Sequence, residues 1–345
     1  SLQAVVFEDC GLTSRDVEPL FTLLSAAGSV SDLGLAGNNL HMLPPVQITP
    51  VHSLQTLVLK ECGLTNNDIE PLFNLISAAG SVKNLLLGKN NFHELQPINI
   101  TPVPSVAMLK VQECGLTESD IGPLLAILKA AGSVEELALV KNNLHELQPI
   151  NITPVPSLQT LKLQECGLTE SDIGPLLAIL KAAGSVEELA LVTNNLHELQ
   201  PINITPVPSL QTLKLQECGL TTSDIVPLFT VLSAAGRIQR LDLVDNNLQE
   251  LQPVRIPPMP SLQTLILDKC NLTSSHIEQL FTLLSAAGSV QDLVLINNNL
   301  HNFGSPNITP VPSLESLHLY ECGLTELDVF FVLPIASAAG SVKEV

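Results

Sequence analysis

Residues 157–208 read SLQTLKLQECGLTESDIGPLLAILKAAGSVEELALVTNNLHELQPINITPVP, and the same register returns at Ser1, Ser53, Ser105, Ser209, Ser261 and Ser313. A 52-residue period kept along a whole chain dictates the architecture before any side chain is weighed. Each copy has to bury its apolar face against its neighbours. Two shorter units within each period share the skeleton L-x-x-L-x-L-x-x-(N or C)-x-L. The long unit, 28 residues, sets Leu158, Leu161, Leu163, Cys166 and Leu168 on it. The short unit, 24 residues, sets Val186, Leu189, Leu191, Asn194 and Leu196. Residues 112–140 recur unchanged as 164–192.

Beyond the skeleton the two units diverge. In the long unit Ile173, Leu176, Leu177 and Leu180 fall at i, i+3, i+4 and i+7, which predicts an amphipathic helix. Gly184 ends it as a left-handed cap. Thr169 and Asp172 read as a capping box, but Pro175 tolerates only an early helical position, so the N-cap is placed nearer Asp172. In the short unit LHELQPINITPVP carries too much proline and β-branching for a helix and is expected to run extended or in short turns.

The repeated skeleton resembles the leucine-rich repeat family over essentially the whole chain, in thirteen complete units and a truncated fourteenth. The long units resemble the helical repeats of ribonuclease-inhibitor-like proteins, and the short ones look like the typical repeats of many receptor ectodomains. The implied fold is an α/β leucine-rich repeat solenoid, a curved horseshoe. One short strand per unit forms a parallel concave sheet, and the convex side alternates helices with extended segments. Strands ~4.8 Å apart give an inner arc of roughly 60 Å. No linker or composition shift interrupts the period, so residues 1–345 are expected to form a single domain. It comprises six 52-residue double repeats at 1–312 and a truncated seventh at 313–345. Neither end reads as the polar capping unit a solenoid requires. The chain is therefore expected to belong to a longer protein, or to self-associate through its ends.

Cys10, Cys62, Cys114, Cys166, Cys218, Cys270 and Cys322 all occupy the ladder position that Asn holds in short units. An intervening strand puts consecutive members about 10 Å apart, beyond disulfide reach, so buried structural thiols are expected. No C-x-x-C pair points to a metal. His41, His93, His145, His197 and His301 recur after the Asn-Leu pair and read as exposed turn residues. No phosphate loop, nucleophile elbow or paired carboxylate appears, so neither enzyme activity nor a cofactor is expected. With 15 basic residues against 34 acidic, the net charge is −19. That disfavours nucleic acid and anionic membrane and favours a basic protein partner. No segment is long and apolar enough to span a bilayer.

Outward strand residues are where a solenoid of this kind would meet a partner. Long units offer polar ones, as at Thr160, Lys162, Gln164 and Glu165. Short units offer Leu86, Ala138, Val140, Ala190, Val192, Val294 and Ile296. The face should be striped, and outward apolar groups are a reason to expect a partner. Departures from the repeat add Arg240, Asp242, Asp245, Ile266, Asp268, Lys269, His318, Tyr320 and Glu321, so a hot spot is placed between Arg240 and Tyr320. Asn99, Asn151, Asn203, Asn271 and Asn307 begin glycosylation sequons, all but Asn271 with a proline after the threonine. Sequons, low charge and typical-type short units point to an extracellular or cell-surface location, whereas seven thiols without a disulfide point to the cytoplasm. The expected function is a non-enzymatic recognition scaffold that binds a protein, or a glycan, through its concave face. The alternatives are a ribonuclease-inhibitor-like inhibitor of a basic enzyme and a structural array assembling end to end.

Overall fold

A computed structural model describes residues 2–45, 47–150, 152–202, 206–252, 254–301, 308–326 and 328. Its residues fall into two compact units, 1–167 with 182–186 and 168–181 with 187–345. The first carries strands β1 (Ala4–Val6), β2 (Asp32–Gly34), β3 (Thr56–Val58), β4 (Asn84–Leu86), β5 (Met108–Lys110), β6 (Glu136–Ala138) and β7 (Thr160–Lys162). The second carries β8 (Glu188–Ala190), β9 (Thr212–Lys214), β10 (Arg240–Asp242), β11 (Thr264–Ile266), β12 (Asp292–Val294) and β13 (Ser316–His318). Within each unit every strand pairs in parallel with the next in the chain. Strand starts alternate 28 and 24 residues apart, as the repeat requires. The central residue of each strand from β2 to β13 is a buried leucine, Leu57, Leu85 or Leu265 for example, and its two neighbours point outward; in β1 the half-buried Val5 holds that place.

Helices α1 (Val17–Ala27), α2 (Ile69–Ala79), α3 (Ile121–Ala131), α4 (Ile173–Ala183), α5 (Ile225–Ala235) and α6 (Ile277–Ala287) come after the long-unit strands. The conflict between capping box and proline resolves into two successive turns. A 3-10 turn at Glu170–Asp172 is capped by Thr169, whose box closes on Asp172, and α4 starts only at Ile173. Pro175 is thus its third residue, where a missing N–H costs nothing. Gly184 takes φ 83°, the left-handed cap. Among the described residues the short-unit segments after each strand contain no helix.

Buried asparagines tie unit to unit. Asn90 Oδ1 accepts the N–H groups of Cys62 (3.1 Å) and Leu64 (3.0 Å) from the preceding long unit. Its Nδ2 donates to the carbonyls of Leu59 (2.8 Å) and Leu87 (3.0 Å). Asn38, Asn246 and Asn298 repeat this pattern. The cysteine position is served differently, because the short-unit turn finds main-chain partners instead. Leu40, Phe92 and Leu144 donate their N–H groups to the carbonyls of Cys62, Cys114 and Cys166. A side chain there needs only to donate, and Cys62 and Cys114 do so through Sγ to Leu35 O (3.1 Å) and Leu87 O (2.8 Å). A second tie runs through the capping acid. Asp68 Oδ2 accepts Thr65 N–H (2.9 Å) while Oδ1 accepts Leu43 N–H (3.0 Å) of the preceding short unit.

In the second unit, Ile173, Leu177, Leu213 and Leu228 help line an apolar void of about 30 Å³. Leu177 holds the position that Phe229 fills in α5. Leu177→Phe should therefore stabilise the chain by ~0.5–1.5 kcal/mol by filling space. Asn90→Ala strands two buried N–H donors and should cost about 2–4 kcal/mol, against ~0.5 kcal/mol or less for the exposed Gln96→Ala. Denaturant midpoints of the three variants check both expectations.

Candidate interaction face

The outward side chains form rows because the strands are in register. In the second unit one row runs Ala190, Lys214, Asp242, Ile266, Val294 and His318. The next outward positions, two residues on, are Val192, Gln216, Val244, Asp268, Ile296 and Tyr320. Val294 therefore lies between Ile266 and His318, and Ile296 next to Tyr320, whose carbonyl accepts Asn297 N–H at 3.0 Å. Tyr320 is 71% exposed, His318 is exposed, and Val294 and Ile296 are half-buried. This is a continuous apolar and aromatic patch across β11 to β13. Arg240 stands exposed two strands before β12, with no ion pair among the described residues.

Two residues expected at the surface are covered. Asp242 is buried because its carboxylate is used up locally, accepting Gln216 Nε2–H at 2.7 Å and Val244 N–H at 3.1 Å. Ile266 is buried between Asp242 and Val294. Ala138 and Ala190 are also buried, beside Lys162 and Lys214 in register. Those lysines reach Glu136 and Glu188, both at 2.6 Å, so a small residue makes room for their aliphatic stems. The stripe is thus muted beside Lys162 and Lys214. Leu86, Val140 and Val192 remain half-buried.

Past the strands runs a charged ledge in left-handed conformation. Glu61, Lys89, Asp245 and Lys269 have φ of 55°, 53°, 58° and 51°. Lys89 hydrogen-bonds Glu61 at 2.9 Å, which holds that carboxyl below its usual range and raises the lysine. Lys269 pairs with Asp245 at 3.6 Å, and Asp268 accepts from Asn297 at 3.1 Å. The only clue to this ledge in the sequence is its fixed place after each strand.

The thiols are structural, with one correction. Six are buried, but Cys10 is exposed, since β1 has a neighbour on one side only. Burial pushes Cys62 up to about 11 and Cys114, Cys218 and Cys270 to about 12. The histidines are less uniform than expected. His93, His145 and His197 are exposed, while His41 is partly covered and sits 3.2 Å from the buried Asp68. Asn99 and Asn271 are exposed, Asn271 with φ 56°; Asn151, Asn203 and Asn307 lie outside the described residues. Among the described residues no cluster of three or more His, Cys, Asp or Glu could hold a metal, and no helix is long and apolar enough to cross a membrane.

No model of a known protein family matches the chain. It is 28% identical to the ribonuclease inhibitor of Mus musculus, over 99% of this chain and 80% of that protein. The Sus scrofa ribonuclease inhibitor is 26% identical, over 99% and 82%. The repeat skeleton, the helix-bearing long units and the in-register strands agree with this match. The chain is a leucine-rich repeat protein with ribonuclease-inhibitor-like repeats. Its repeats are also 28% identical to the human NACHT, LRR and PYD domains-containing protein 12, over 74% of this chain and 26% of that protein.

At pH 8 a thiol pushed up to about 11 or 12, as at Cys62, Cys114, Cys166, Cys218 and Cys270, is ionised in about one molecule in a thousand or fewer. Brief alkylation of the folded protein should therefore label Cys10 alone, and all seven cysteines in denaturant, as read by peptide mass.

Proposed function

We propose that this chain is a non-enzymatic recognition scaffold that holds a protein partner against the outward strand face of its second unit. The observation that carries the reading is the patch of Val294, Ile296, His318 and Tyr320. The register assembles it on rigid backbone, and it exposes the one tyrosine of the chain. An exposed aromatic beside aliphatic groups and an unpaired arginine has the composition of an interface core, and burying it against a partner removes apolar surface from water. The charge of −19 and the carboxylates of Glu217, Asp268 and Glu321 along the same face favour a basic partner.

A second reading is inhibition of a ribonuclease, supported by the names of the two relatives matched over 99% of the chain. Capture through the patch and capture through charge respond differently to salt. Apolar contact hardly changes between roughly 50 and 500 mM salt, while electrostatic capture weakens steeply.

The test compares partner capture from the source organism, and inhibition of a basic ribonuclease, for the parent chain and for Val294→Glu with Ile296→Glu. The double variant should fold normally and lose capture by about 100-fold or more, as expected for a charge forced into an apolar contact. Unchanged capture would overturn the patch. Inhibition that survives in the double variant but vanishes in high salt would move the reading to the charged ledge.

A further inference from the structure

Six periods place an aspartate three residues after the capping threonine: Asp16, Asp68, Asp120, Asp172, Asp224 and Asp328. The sixth period has His276 instead. Its partner position changes too. A histidine lies 27 residues before Asp68, Asp120, Asp172, Asp224 and Asp328, whereas Gln249 lies 27 before His276. Acid and imidazole have thus left their usual places together, and the imidazole has taken the capping role.

The geometry fixes its protonation. Thr273 N–H donates to His276 Nδ1 at 3.0 Å, and Thr273 Oγ1 lies 3.2 Å from the same nitrogen. Nδ1 must therefore present a lone pair, which leaves the ring proton on Nε2. The ring also hydrogen-bonds the backbone of Gln249 in the preceding short unit. The imidazole thus takes over the cap that Asp68 provides in its own period, but reaches the preceding short unit as a donor, where Asp68 accepts Leu43 N–H; the matching Leu251 N–H goes to Leu248 O instead.

We propose that His276 makes the start of α6 an acid-sensitive joint, closed by the neutral ring and opened when a second proton arrives at Nδ1. Protonation sets a donor against the Thr273 N–H and removes the cap, while the half-buried cation keeps only its bond to the Gln249 backbone. An unperturbed carboxylate remains an acceptor to far lower pH than an imidazole. The charged groups on the surrounding segments are Glu250 beside Gln249, Glu278 in the first turn of α6, the Asp245–Lys269 pair, and His301 on the segment that bridges Thr273 through Asn299. Burial lowers the ring's pKa, and its hydrogen bond to the Gln249 backbone partly offsets this.

Stability then depends on pH in one direction. A group whose folded pKa lies below its free value of 6.5 contributes fully above 6.5. That contribution declines as pH falls through 6.5 and levels off at the lower folded value. At about pH 5 the opening constant of this turn rises by up to about 30-fold, the limit in which only the open form binds the proton.

Hydrogen exchange of the full chain at about pH 7.5 and pH 5 tests this. Peptides covering 271–280 are compared with the equivalent starts of α2, α3 and α5, which share the intrinsic pH dependence. Opening at 271–280 should rise several-fold relative to those starts in the parent and not at all in His276→Asp, which restores the residue used elsewhere. The proposal is overturned if 271–280 tracks the other starts, or if His276→Asp keeps the acid effect. Should that variant misfold, His276→Asn carries the same readout. An imidazole found protonated at Nδ1 at the higher pH by nitrogen shifts would also overturn it.

Discussion

Every turn after a strand leaves backbone N–H groups pointing away from its own unit, and the fold depends on the next unit supplying an acceptor. Short units supply an asparagine carboxamide, as Asn90 does for Cys62 and Leu64. Long units supply main-chain carbonyls, as Cys114 does for Phe92. Asn and Cys alternate for that reason. A side chain that must accept and donate at once has to be an amide, and one that must only donate in a dry site is better small. The 28 and 24 residue lengths are then set by what fits behind each strand, a helix or an extended segment.

With so much of each unit committed to holding its neighbour, freedom to vary remains on the outward strand positions and the ledge after them. Even there the structure claims some residues back. Asp242 serves Gln216 and Val244, and the lysines of β7 and β9 lie across alanines to reach glutamates. What is left over in the second unit is Arg240 and the patch from Val294 to Tyr320. That is why the recognition reading rests there and not on the repeated middle, whose outward groups are already paired with one another.

Periodicity made the architecture legible, because burial at Leu161, Leu163 and Leu189 is a matter of spacing alone. Helix ends were legible through Gly184 and Thr169, but the 3-10 turn that reconciles Thr169 with Pro175 has no signature of its own. Exposure was the weak point. Alternation says which way Ile266 and Ala190 point, yet coverage depends on the neighbouring strand: a lysine stem beside Ala190, Asp242 and Val294 around Ile266. His276 was visible in the sequence as a departure, but only the hydrogen bond from Thr273 shows that it replaces a carboxylate and does not merely differ from one.

The segments 112–163 and 164–215 differ at a single position, Lys141 against Thr193. In a stack where each unit answers only to its two neighbours, near-identical segments are interchangeable parts. Excising 112–163 would leave nearly every remaining unit facing the partner it already has, and inserting a further copy would do the same. Length is therefore a nearly neutral variable for this protein, adjustable in whole periods by unequal exchange between like stretches of its own gene. Its end periods, free of such duplicates, are where change accumulates as chemistry instead of as size.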